Sequence, residues 1–280
     1  MKGGKRPLGY TIIEVMIVLA VSGIMFLIAA DFISGKAERT SFTQGVNEMA
    51  SRIQDVINQV IDGQYSDVPL NCSVVGGSLS FSGLPSGGQG TNPGCVFIGK
   101  VLHFSVSGVP HDYEVISVAG LRVDGSGLPT QNLGTGAHGA EAQYIPSLTI
   151  QQIVPQQLDI QYIKIIDSSG IPQSSFGIGF MQSLASVNRV KVLNNLAQTV
   201  SMYYVSGLTS NMSGDDTGGT GEQLILGNLY STASADICLT DGTRWADIAI
   251  GTDGTNTNDS QLNVTVNMDQ SGSVVPPKCM

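Results

Sequence analysis

Residues 9–33 read Gly9-Tyr10-Thr11-Ile12-Ile13-Glu14, then VMIVLAVSGIMFLIAA up to Ala30, then Asp31-Phe32-Ile33. Val15 to Ala30 is a run of 16 residues without a charge, and Ser22 is its one polar side chain. Tyr10 to Ile33 makes a stretch of 24 residues. A helix rises about 1.5 Å per residue, so ~20 apolar residues cross the hydrocarbon layer of a bilayer. Lys2, Lys5 and Arg6 precede the run. They place the N-terminus on the cytoplasmic side and the rest of the chain on the other. As a secretory signal the run is too long, because such apolar regions take ~7–15 residues. A cut after Ala30 would also put Ile28 where a small residue belongs. As a plain anchor it leaves Glu14 unexplained. A carboxylate within a membrane helix costs ~2.5–3.5 kcal/mol even on lenient insertion scales. Glu14 therefore calls for a partner.

A glycine, an aromatic residue and a glutamate five positions after the glycine, ahead of an unbroken apolar helix, resemble the prepilin signal of the type IV pilin and pseudopilin family. The resemblance implies cleavage by a prepilin peptidase between Gly9 and Tyr10. It implies N-methylation of Tyr10, and it makes Glu14 the residue that governs assembly. The physical logic agrees. Cleavage leaves an ammonium group at Tyr10 in an apolar layer, and Glu14 of a neighbouring subunit neutralises it. Two isolated buried charges are expensive, and pairing removes most of that cost. Tyr10 stands where Phe is commoner, Leu8 where a basic or polar residue is frequent, and Asp31 where many major pilins carry a kinking Pro. The Ser34-Gly35 pair is an alternative flexible point.

Beyond this segment apolar residues recur at Phe42, Val46, Met49, Ile53, Val56, Ile57, Val60 and Ile61, mostly at steps of three and four. Gly63 follows as a natural helix stop, and no Pro lies between Leu8 and Pro69. One helix is expected from about Thr11 to Asp62. Its first half is apolar all round and its second half amphipathic.

After Gly63 the chain turns to short β-rich runs broken by Gly, Ser, Asn and Pro. Strands are expected at 96–106, 112–118, 158–166, 176–181, 198–205, 223–226, 235–240, 243–250 and 261–268, with 184–196 as a short helix. Asp241-Gly242 is the strongest hairpin signal. In the strand at 243–250, alternation puts Trp245, Asp247 and Ala249 on one face and Ala246, Ile248 and Ile250 on the core face. Trp245 is either an exposed contact residue or packed under a loop. The fold class is α+β: a long N-terminal helix, transmembrane then amphipathic, packed on a mainly antiparallel β-rich head. The chain divides into a leader at 1–9, a membrane or filament-core helix at 10–33, the amphipathic continuation at 34–63, and an exported head at 64–280.

The chain has 280 residues, a net charge of −9 and a pI near 4.6. That balance is wrong for a protein that binds the phosphate backbone, so no nucleic-acid partner is expected. Charged residues at 12 % and hydrophobic ones at 41 % do not make a disordered acidic tail. Gly, 35 residues, follows no collagen period.

Cys72, Cys95, Cys238 and Cys279 in an exported domain read as disulfides with three pairings. Spacing suggests Cys72–Cys95 and Cys238–Cys279. The second resembles the C-terminal disulfide-bounded region of many type IV pilins. No C-x-x-C spacing supports a zinc site of four thiolates. The acidic loops Asp215–Glu222 and Asp253–Asp259 have oxygen ligands that suit calcium, but neither fits a defined loop, and they read first as polar turns. Gly134-x-Gly136-x-x-Gly139 copies the letters of a dinucleotide motif without its strand and helix. His103, His111 and His138 do not lie at ligand spacing, and no catalytic constellation emerges.

The resemblance therefore implies a non-enzymatic subunit of a type IV pilus, for adhesion or motility. It would span the membrane once before assembly and lie in an extracellular fibre afterwards. Its partners would be the prepilin peptidase, an inner-membrane assembly platform and other pilin subunits, like or unlike. The alternatives are a pseudopilin of type II secretion or DNA uptake and, from a different class, a membrane-tethered exported hydrolase.

Overall fold

A computed structural model describes residues 11–63, 72–75, 78–81, 95–104, 112–123, 126, 128, 130, 139–145, 148–173, 175–182, 200–206, 208, 229–251, 262–268 and 279. For 31, 32, 34, 72–75, 78–81 and 95 it describes the backbone alone. The expected strand at 223–226, the expected helix at 184–196, the two acidic loops, His111 and His138 lie outside the described residues. By compactness the chain forms two units, Met1–Gln44 and Gly45–Met280.

Helix α1 runs Ile12–Ile61 and remains helical through Asp31–Gly35. Gly63 ends it at φ +65°, a left-handed conformation that glycine adopts without a Cβ penalty, and its amide donates to the Val60 carbonyl. Within the second unit, Val46, Met49, Ala50, Ile53, Val56, Ile57 and Val60 of α1 are buried. Glu48, Ser51, Asp55 and Asn58 on the opposite face are exposed. This is the amphipathic stripe that the period of three and four demands.

The stripe lies on an antiparallel sheet. Its strands are β3 (Cys95–Phe104), β4 (Asp112–Leu121), β5 (Gln143–Tyr144), β6 (Ile150–Ile153), β7 (Asp159–Asp167), β8 (Pro172–Gln173), β9 (Gly177–Gln182), β10 (Val200–Val205), β11 (Leu229–Thr240), β12 (Trp245–Gly251) and β13 (Asn263–Met268). A separate hairpin, β1 (Cys72–Val75) with β2 (Ser78–Phe81), precedes them. The main order is β13-β12-β11-β10-β9-β3-β4-β5, with β6 also on β4, β7 on β11, and β8 on β7. Strand β11 is the junction. Its residues Leu229–Ser231 pair with β10, and Thr232–Thr240 pair with β7, while Ser234–Thr240 also pair with β12.

Side-chain alternation in β3 divides the core in two. Lys100, Leu102 and Phe104 share one face with their partners Ser117, Val115 and Tyr113. Lys100 Nζ donates to Gln59 Oε1 of α1, so this is the helix side. Gln182 Nε2 of β9 donates to the Val60 carbonyl, and Arg52 Nη1 to the Ile153 carbonyl of β6. The opposite face carries a second cluster: Ile98, Val101, Ile116, Val118, Ala140, Ala142, Tyr144, Met181 and Val205. Cover on both faces explains why β4 is buried almost throughout instead of alternating. His103 sits on this second face, buried, its Nδ1 3.6 Å from Oε2 of its cross-strand partner Glu114.

Two local readings shift. The hairpin at Asp241-Gly242 has a four-residue connection, because Thr240 pairs with Trp245. Asp241 Oδ1 accepts the amides of Thr243 and Arg244, which holds both residues in the turn and out of β12. Strands β1, β2, β5, β6 and β8 were not expected. Strand β6 is Ile-Gln-Gln-Ile between Pro146 and Pro155, and it exists because Asp112–Val115 of β4 offer it an edge. Trp245, Asp247 and Ala249 do share a face opposite Ala246, Ile248 and Ile250, and Trp245 is half-buried on it.

Candidate functional site

Glu14 occupies the third position of α1. Its amide donates to Thr11 Oγ1 at 3.3 Å, so Thr11 is the N-cap. Thr11-x-x-Glu14 is the spacing of a capping box, a signal the sequence reading did not use. The start of the helix is thus set at Thr11 and Glu14, both within the Gly9–Glu14 segment. An acidic residue in the first turn also faces the positive end of the helix dipole. Gly9 and Tyr10 lie outside the described residues.

Around Glu14 the apolar surface of the first unit is bare. Ile12 is 82 % exposed, Ile13 71 % and Phe26 74 %, and large apolar side chains stay exposed to Ile33. A helix apolar all round is stable only when something apolar covers it. The stretch is long and apolar enough to cross a membrane, and its most apolar 18 residues are all unburied. Gly23 within it and Gly35 just beyond it have open space where a Cβ would stand.

The second unit holds a separate constellation. Cys238 of β11 and Cys279 are joined by a disulfide, with Cα atoms 5.8 Å apart. Cys238 is fully buried, in register with Asp247 of β12, which is 1 % exposed. Asn267 of β13 is next in the row and donates its Nδ2 to Asp247 Oδ2 at 3.2 Å. Sequence spacing named the cysteines but missed Asp247 as their neighbour. Only the register of β11 on β12 brings it there. The side chains of Cys72 and Cys95 lie outside the described residues.

Electrostatic perturbation elsewhere is structural. Burial pulls the Lys100 amine below its ordinary value. Burial pushes the Tyr113 hydroxyl up, against the opposing hydrogen bond from Arg52. Partial burial raises the Asp241 carboxyl, but the amides of Thr243 and Arg244 and the Thr243 hydroxyl outweigh it and hold it below the usual carboxylate range. Nothing among these groups joins a nucleophile to a base.

Residues 4–30 match the family model described as the prokaryotic N-terminal methylation motif. No curated protein and no solved structure matches the chain. The matched segment covers the Gly9–Glu14 signal and the whole uncharged run Val15–Ala30. The chain thus carries the prepilin-type cleavage and methylation signal of type IV pilin-like proteins, on an apolar helix that continues into an antiparallel β-rich head.

Proposed function

We propose that this protein is a structural subunit of a type IV pilus. The observation that carries the reading is the methylation motif at 4–30 on a helix whose apolar surface has no cover of its own. In the membrane, lipid covers that surface; in a fibre, the same helix of other copies does. A prepilin peptidase would cut after Gly9 and methylate Tyr10. The new ammonium of one subunit would then meet Glu14 of its neighbour, which fixes the stagger between them. An inner-membrane platform would move subunits from lipid to fibre. The β-rich head would coat the fibre and make its outward contacts, with adhesion or motility as the result.

The test is mass spectrometry of the N-terminal peptide from membranes and from fibres sheared off the cell surface. A peptide that begins at N-methylated Tyr10 in both fractions is the expected result. The same peptide confined to membranes would replace the pilus with a pseudopilus. A start near Asp31, or an intact Met1, would overturn the reading.

A further inference from the structure

Beside the C-terminal bridge lies a buried carboxylate that a disulfide alone does not require. Cys238 Sγ, Cys279 Sγ and a carboxylate oxygen of Asp247 all lie within 4.8 Å of one another. Cys238 and Asp247 project from adjacent positions of adjacent strands and are buried. Their separation is therefore fixed by the ladder and not by flexible loops. Asn267 on the third strand orients the carboxylate through Nδ2, as outer hydrogen-bond partners orient metal ligands.

We infer that Cys238, Cys279 and Asp247 form a redox-gated site for a thiophilic divalent cation of the zinc class. The disulfide and the metal exclude each other, because both use the same sulfur electron pairs. A dithiol reductant opens the bridge: the S–S bond takes two electrons and two protons, the reductant becomes a disulfide, and two thiols result. The cation then displaces both thiol protons to solvent. Two thiolates and one carboxylate complete three corners of a tetrahedron, and water takes the fourth. Zinc–sulfur bonds of ~2.3 Å set a sulfur–sulfur edge of about 3.8 Å, so the two sulfurs, bonded to each other in the oxidised chain, part as the ion enters. The same clasp between β11 and Cys279 is thus held by a covalent bond when oxidised and by a metal when reduced. This inference does not depend on the pilus reading.

The test uses the full chain in detergent, reduced with a phosphine, freed of it without oxygen, and titrated with Co²⁺. Cys238→Ser, measured alongside, subtracts whatever the other cysteines bind. The expected result is one Co²⁺ per chain above that control, with a thiolate-to-cobalt charge-transfer band and the visible bands of a tetrahedral site. The oxidised chain should show neither. Asp247→Asn, which removes an anionic ligand, should weaken binding by more than about a hundredfold, beyond the roughly tenfold to hundredfold loss that follows removal of an outer partner. Zn²⁺ should raise the melting temperature of the reduced parent, since it binds the folded state alone, and leave that of Asp247→Asn nearly unmoved. If Asp247→Asn does not fold, Asn267→Ala keeps all three ligands and should still bind more weakly than the parent. A reduced parent indistinguishable from Cys238→Ser overturns the site. Parent-like affinity in Asp247→Asn overturns the role of the carboxylate, and parent-like affinity in Asn267→Ala overturns its orientation by Asn267.

Discussion

Glu14 and Lys100 show how one charged side chain takes its meaning from its surroundings. Glu14 is exposed on an apolar helix, where a carboxylate is worth keeping only if a cation comes to it. Glu14→Ala should leave cleavage and methylation intact, yet lower the yield of surface fibres severalfold, measured by shearing and immunoblot. Wild-type fibre yield would sink the charge-pairing mechanism. Lys100 is the opposite case, a cation drawn into the space between α1 and β3 with Gln59 as acceptor. Burial lowers its value in the folded chain, while the unfolded chain keeps about 10.5. Between those two values the unfolded state binds more protons, so stability rises with pH toward 10.5. Below the folded value the burial penalty is present in full. Lys100→Met should therefore flatten this rise, measured as the difference in urea midpoint between variant and parent across the alkaline range.

Elements in the second unit are joined by close approach as well as by apolar area. At the β3 bulge, a Cβ on Gly99 would stand 2.0 Å from the Phe180 carbonyl oxygen and 2.8 Å from Met181 Cα. Both are backbone atoms, so strands β3 and β9 would have to part. Gly99→Ala should cost about 3 kcal/mol, read from chemical denaturation. A change within error would mean that the bulge relaxes freely. On α1, Ile57 is fully buried. Ile57→Ala removes a side chain from the helix–sheet layer and should cost ~2–5 kcal/mol. Hydrogen exchange should then rise in both Gly45–Ile61 and β3, because each is the other's cover. A rise in the helix alone would mean that the sheet does not depend on it.

At the scale of the molecule, the two units solve different problems. The first presents apolar surface that other molecules must cover; the second buries its own. The bridge from Cys238 to Cys279 spans 41 residues and closes β12 and β13 into one loop. In the chain-entropy model a loop of that size stabilises by about 4 kcal/mol. Cys279→Ser should lower the melting temperature in non-reducing buffer and leave the α1 segment Ile12–Ile33 as exchange-labile or as membrane-protected as before. An unchanged melting temperature would mean that the bridge adds nothing to the native head.

The sequence by itself determined what depends on neighbours along the chain. The basic start, the uncharged run and Glu14 define the processing signal and the membrane-length helix. A period of three and four defines the buried stripe from Val46 to Val60, and Gly63 defines where it stops. Long strands such as β3, β4 and β12 were legible because their apolar content and their flanking turns are local. The tertiary structure alone decided what depends on partners distant in the chain. Strand β6 has no strand signal in Ile-Gln-Gln-Ile and forms on the free edge of β4. Lys100 and His103 are polar residues of one strand, and only the two-sided cover of the sheet makes both of them buried. Asp247 stands beside Cys238 through the β11–β12 register and beside Cys279 through the bridge, separations of 9 and 32 residues that no spacing rule connects. Local preference costs a chain little to express and is written in short windows. Register and cover are settled only when a whole sheet chooses its pairing, and there the energy of burial, not the pattern of residues, has the last word.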